Sequence, residues 1–211
     1  IMAGDWSSDV CSSDLRFSGR ERLLLMGSCF ATNIGTRLVE AKFACDVNPY
    51  GVLYNPMSIS AALREALEGK VYRADDLQAY GGLWHSPMHH GDFSAPTAEE
   101  ALERINTRLE ALREELKGLD VLVATWGTAW VYEDAQTGRI VGNCHKRPER
   151  CFRRRRLTVE EVTDDWCDLV GRLRAANPRL RVLLTVSPIR HLRDGLHANQ
   201  LSKATLLLAA D

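Results

Sequence analysis

Three short apolar runs, each followed by a stretch of helical periodicity, limit this chain's architecture more than any other feature. Leu23-Leu24-Leu25-Met26, Asp120–Trp126 and Arg181–Val186 show no sustained alternation of polar and apolar residues. Such runs read as strands buried on both faces, as in a parallel sheet, whereas half-solvated strands alternate. After Gly27-Ser28-Cys29, Ile34, Leu38 and Ala41 recur at helical spacing. Phe43–Val47 reads as a second short strand, closed by the turn-rich Asn48-Pro49-Tyr50-Gly51. Asn55 then offers an N-cap with Pro56 at N1, and Ile59, Leu63 and Leu67 give one apolar face before Gly69. Thr97-Ala98-Glu99-Glu100 and Thr158-Val159-Glu160-Glu161 are capping boxes that open two longer amphipathic helices. Gly118 ends the first and Asn177-Pro178 the second. A last helix is expected from about Asn199.

Strand and helix in alternation predict an α/β fold: a three-layer, mostly parallel flavodoxin-like sheet with helices on both faces. Ligands of such sheets bind at the carboxyl ends of the strands, where strand order reverses. A flavodoxin-like order sets Gly27-Ser28-Cys29 beside Trp126-Gly127-Thr128, with Gly51 close by. Between the regular elements, Ala129–Glu133 and Arg139–Asn143 flank a turn containing Gly138 and predict a hairpin. Residues 70–96 lack a regular period and read as a long loop holding Gly81-Gly82, Trp84, His85, His89 and His90. The run Arg153–Arg156 has no interleaved aromatics and reads as a solvated basic face.

The totals fit a globular chain. Of 211 residues, 45% are hydrophobic and 26% charged, with a net charge of −1. This near neutrality points away from nucleic acid and membrane surfaces as partners. The longest apolar run, Ala204–Ala210 interrupted by Thr205, is far below the ~20 residues of a membrane helix. Residues 1–15 stand apart from the rest. Asp5–Asp14 is the translation of GAC TGG AGT TCA GAC GTG TGC TCT TCC GAT, a sequencing-library adapter, so residues 1–15 are expected to be a non-native leader and 16–211 the domain. Its three acids and lack of bases leave the remainder near neutral. Beyond Cys11 there are five cysteines: Cys29, Cys45, Cys144, Cys151 and Cys167. An odd number without a CxxC pair argues against a disulfide framework and a structural zinc site, and a reducing cytoplasm is the default expectation. No metal or other cofactor is expected.

Gly27-Ser28-Cys29-Phe30-Ala31 sets a hydroxyl and a thiol at a helix N-terminus, where unpaired N–H groups stabilise anions and activate thiols. Ser28 as a cap and Cys29 as a packed side chain is the competing reading. His85, His89 and His90 read as loop-packing histidines ahead of metal ligands. His145-Lys146 reads either as an anion contact or as a solvated hairpin end.

The pentapeptide Gly27–Ala31 resembles the naming motif of the GSCFA family. Asn48–Gly51 with Tyr54-Asn55-Pro56, Trp126–Tyr132, Asn143–Lys146, Thr185–His191 and Asn199–Ala204 are similar to its further signatures, in order. The resemblance covers roughly Arg16 to Asp211 and implies a relationship to the SGNH hydrolases, whose first block reads Gly-Asp-Ser with serine as nucleophile. Aligned without a gap, Cys29 falls on the nucleophile and Ser28 on the aspartate, so both are candidate catalytic residues. Gly51 resembles the glycine whose N–H helps form an oxyanion hole. The asparagine expected after the third strand is absent, since Gly127-Thr128 leads to Ala129, and Asn143 is a spatial substitute. Asn48, Gly127, Thr128, His90 and His145 complete the candidate oxyanion and substrate-binding set.

The superfamily's Asp-x-x-His motif, source of base and orienting acid, is not found in the last stretch. Asp194 and His197 match by spacing, but directly after the Thr185–His191 block. The expectation is therefore that the motif lies beyond residue 211 and that this stretch lacks turnover, with His191 and His197 as stand-in bases. The implied function is an acyl-ester hydrolase or acyltransferase on a small-molecule or glycan ester, acylated carbohydrate being one candidate. The rival is a non-catalytic glycan- or anion-binding module on the same fold.

Overall fold

In a computed structural model, residues 18–190 and 194–211 are described, so the leader at 1–15 and His191 lie outside the described residues. In chain order the elements are β1 (Arg22–Gly27), α1 (Cys29–Glu40), β2 (Ala44–Val47), α2 (Pro56–Glu68), β3 (Gln78–Tyr80), β4 (Leu83–His85), α3 (Ala98–Lys117), β5 (Val121–Trp126), β6 (Trp130–Asp134), β7 (Ile140–Val141), β8 (Phe152–Arg156), α4 (Val159–Ala176), β9 (Arg181–Val186) and α5 (Gly195–Ala210).

The central sheet runs β2-β1-β5-β9, and every pair in it is parallel. This is the flavodoxin-like order expected from the alternation of elements. Side-chain direction alternates along β1 and sorts its apolar run into two layers. Leu24 and Met26 enter the larger core with Ile59 and Leu63 of α2, Ile105 and Leu112 of α3, and Trp166 and Leu169 of α4. Leu23 and Leu25 join Val121 and Leu38 of α1 on the opposite face. An unbroken apolar strand is therefore what this position requires.

Capping follows the sequence closely. Asn55 Oδ1 accepts the Ser58 N–H at 2.8 Å and opens α2 one residue before Pro56, and Gly69 closes it in the left-handed region (φ 67°). Thr158 and Glu161 form the full capping box of α4. At α3 the Thr97 hydroxyl accepts the Glu100 N–H at 3.2 Å as expected, and the described contacts include no return bond from Glu100.

Four expectations need correction or addition. Residues 70–96 are not structureless: β3 and β4 pair across Gly81-Gly82, both at positive φ, so two turn glycines mark a hairpin. Arg153–Arg156 forms most of β8, which pairs antiparallel with β6 and makes β7-β6-β8 a second sheet. The basic face is solvated as expected, with Arg153, Arg154 and Arg156 exposed; Arg155 is half-buried and pairs with Glu133 and Glu161, and Arg154 pairs with Asp194. Strand β9 is half-buried along its length, because β5 pairs one edge and the described residues place no strand on the other. Helix α5 begins at Gly195, four residues ahead of Asn199.

Candidate functional site

The turn after β1 is built by close approach. Gly27 sits opposite Thr125 of β5, and a Cβ at Gly27 would lie 2.1 Å from the Thr125 carbonyl oxygen. Ser28 follows as the N-cap of α1, 1% exposed. Its N–H donates to Thr125 O at 3.2 Å, and its Oγ accepts the Phe30 N–H at 3.3 Å. Cys29 is the first helical residue and is partly exposed. A residue at that position has no carbonyl within its own helix for its N–H. The hydroxyl thus caps the helix, and the thiol stands at the helix mouth.

Asn48 and Gly51 hold the neighbouring turn. Asn48 Oδ1 accepts the Gly27 N–H at 2.8 Å, and its Nδ2 donates to Thr32 Oγ1 at 2.8 Å. Both ends of this amide are therefore engaged in joining β1, β2 and α1. The Gly51 N–H donates to the Asn48 carbonyl at 2.7 Å. A Cβ at Gly51 would meet His90 Cβ at 2.1 Å, so this glycine admits the 90s loop against the turn.

Across β1, the N–H groups of Gly127 and Thr128 both donate to the Tyr54 carbonyl, at 2.7 and 2.9 Å. Gly127 packs between Ser28 and Tyr54: a Cβ there would lie 3.2 Å from Ser28 Cβ and 3.3 Å from Tyr54 Cδ1. Burial, and then the Coulomb effect of Cys29, push the Tyr54 phenol above its ordinary range. The loop 127–129 is also pinned from α5. Ser202 Oγ bonds Thr128 Oγ1 at 3.1 Å and accepts the Ala129 N–H at 2.8 Å. Lys203 Nζ donates to the carbonyls of Gly127 and Ser187, each at 2.6 Å.

Tyr54, His90, Thr128 and Asn143 meet in the wall of one cavity of about 380 Å³. Trp130, Tyr132 and Arg154, from the second sheet, form its far side. The Arg154 guanidinium lies 4.2 Å from the Trp130 ring centroid and pairs with Asp194, whose side chain is only 7% exposed. The wall thus carries balanced charge, aromatic surface and several hydrogen-bonding groups. Asn143 Oδ1 accepts the His145 N–H at 2.8 Å. His90 is the one histidine among the described residues lining this cavity. Its Nδ1 lies 2.9 Å from Asp92 Oδ2 and accepts the Asp92 N–H at 3.4 Å.

His85, His89 and His145 have structural places. His89 is 1% exposed, stacks on Tyr50 with centroids 4.1 Å apart and bonds Ser86 Oγ through Nδ1 at 2.8 Å; burial holds its pKa down to about 3. His85 engages Ser94 Oγ and the Tyr80 carbonyl with its two nitrogens. His145 was a candidate for substrate contact, but its Nε2 bonds the Ser86 carbonyl at 2.7 Å and its ring packs on His85. Burial lowers its pKa, and it does not line the cavity. His197 is exposed on α5 and does not line the cavity either.

Tyr54, Trp130, Tyr132, Ser202 and Lys203 were not singled out as site residues from the sequence. Each lies inside a segment similar to a family signature, which was the available signal. Periodicity gave none.

No curated protein and no solved structure matches the chain. The model of the GSCFA family matches residues 22–211, from the first residue of β1 to the end of α5. That match spans every element that builds the cavity and the turns around Ser28 and Cys29, and the chain belongs to the GSCFA family.

Proposed function

We propose that this GSCFA domain is of the SGNH hydrolase type and handles acyl esters, with Cys29 as the nucleophile. One observation carries the choice of residue: Ser28 is buried and bonded as the cap, whereas Cys29 is partly exposed at the first helical position. In the proposed step the Cys29 thiolate attacks the acyl carbon, the C–S bond forms, and the C–O bond breaks as the alcohol leaves with a proton. A helix N-terminus stabilises both the thiolate and the developing oxyanion. Tyr54 lines the cavity, whose aromatic and neutral-on-balance lining suits a hydroxyl-rich ester such as an acylated sugar. His90, beside Asp92, is the imidazole placed to exchange a proton with a group bound there.

A second reading has its own observation. The N–H groups of Gly51, Gly127 and Thr128 all have protein acceptors, so these candidate oxyanion donors are engaged. That favours a glycan-binding module using the same cavity without turnover.

Acylation separates the two, because forming a thioester does not require the later hydrolysis step. The chain is treated with p-nitrophenyl acetate and the acetylated peptide is located by mass spectrometry. The hydrolase reading expects acetyl on Cys29 well before Cys144, Cys151 or Cys167, and none in Cys29→Ala. Equal labelling of all these thiols refutes it.

A further inference from the structure

Beyond the carboxyl end of β9 a second cavity of about 380 Å³ opens between the turn Ser187–Arg190 and helix α5. It lies on the other side of Lys203 from the turns around Cys29, since Lys203 Nζ binds the carbonyls of both Gly127 and Ser187. Two cations, Arg190 and Lys203, line it, and no acid does among the described residues. Arg190 has no acidic partner among the described residues. Lys203 is half-buried with two carbonyls as its acceptors, and burial without a counter-charge holds its pKa down to about 8. An ammonium of this kind is stabilised by whatever anion comes within reach.

The second observation is independent of charge. Asn199 also lines this cavity and is 6% exposed. Its carboxamide adds a neutral N–H donor to the charged lining. Gln200 adds a second amide from the same helix. Donors predominate on this surface: a guanidinium, an ammonium and two carboxamides, converging from two elements.

We propose that this cavity binds a small oxyanion, a phosphate or carboxylate group, through Lys203, Arg190 and the Asn199 amide. Arg190 supplies a planar fork for two oxygens, Lys203 a point charge at the base, and Asn199 an N–H donor. The site is distinct from the cavity lined by Tyr54 and His90, and it stands whether or not Cys29 acylates. Through Lys203 an occupant touches the residue that fixes the Gly127 turn.

The test is calorimetric titration of the intact chain with inorganic phosphate, and separately with acetate, at constant ionic strength and neutral pH. Saturable one-site binding is expected. Arg190→Ala, which removes an exposed side chain, should weaken it about tenfold. Lys203→Met should abolish it and Lys203→Arg should largely retain it, with circular dichroism reporting that each variant folds. If the Lys203 variants do not fold, Arg190→Ala and Asn199→Ala decide. Saturation by phosphate alone identifies a phosphoryl-bearing ligand, and saturation by acetate as well identifies a general oxyanion site. Absence of saturation with either anion overturns the proposal, as does unchanged affinity in Arg190→Ala.

Discussion

Asn48 Oδ1 accepts the Gly27 N–H at 2.8 Å, and this bond fixes the point at which the first strand turns into the first helix. Asn48 holds a left-handed backbone (φ 48°), its own N–H reaches the Leu25 carbonyl at 2.8 Å, and its amide also reaches Thr32. Asn48→Ala leaves the Gly27 N–H without its acceptor and puts a less tolerant residue at positive φ. A loss of about 2–4 kcal/mol is expected, read from the urea midpoint at unchanged m-value. Asn48→Asp, which keeps the acceptor, should lose less.

Ser28 and Cys29 should separate cleanly by what they affect. Ser28→Ala removes a helix cap and should cost about 1 kcal/mol in unfolding free energy while leaving thiol acylation detectable. Cys29→Ala should leave stability nearly unchanged and remove the acylation. Thermal unfolding and p-nitrophenyl acetate labelling on the same two proteins check the pair. The opposite pattern, with Cys29 needed for folding and Ser28 for labelling, would reassign the nucleophile.

Asp46 on β2 and Glu115 on α3 interact beside Arg108, which pairs with Asp46. Burial, then the hydrogen bond and charge of Asp46, push Glu115 up to about 8, while hydrogen bonds from Glu115 and Arg108 outweigh burial and hold Asp46 low. The raised group binds its proton more tightly in the folded chain. Its contribution is therefore complete below the unfolded value of 4.5 and is lost as pH rises through about 8. Melting temperature should fall across that interval in the wild type. Glu115→Gln should flatten the fall, as seen by calorimetry at a series of pH values.

Two glycines should respond in opposite directions to alanine. Gly171 lies inside α4 with nothing within 4 Å of an added Cβ, so Gly171→Ala should stabilise by about 0.5–1 kcal/mol. Gly51 combines φ 77° with a Cβ position 2.1 Å from His90 Cβ. Gly51→Ala must displace the His90 loop, and destabilisation of at least about 2 kcal/mol is expected. Paired denaturant titrations test both.

The fold was readable where one physical cause dominates. Leu23–Met26, and Val121–Trp126 but for Thr125, are apolar because both faces are covered, and Thr158 and Asn55 cap helices because their side chains reach the first-turn N–H groups. The strand order was assumed from the fold class, and the Gly27–Thr125 register bears it out. Strand β8 was not legible, because a solvated arginine run carries no apolar alternation and its pairing with β6 is made only in space. The roles of Asn48 and Gly51 were equally hidden. A sequence motif gives residue type and spacing, but not which hydrogen bonds each group has already made.

Tyr54 supports the Gly127 turn with its main chain and faces the cavity with its side chain, and these two duties are separable. The carbonyl that accepts two N–H groups is present whatever residue occupies position 54. The side chain, by contrast, contributes to the cavity, and the residue is 39% exposed. Substitutions here can reshape the pocket while the scaffold keeps its hydrogen bonds. Position 54 is consequently a site of low architectural cost and high chemical leverage, where ligand preference can drift without loss of the fold.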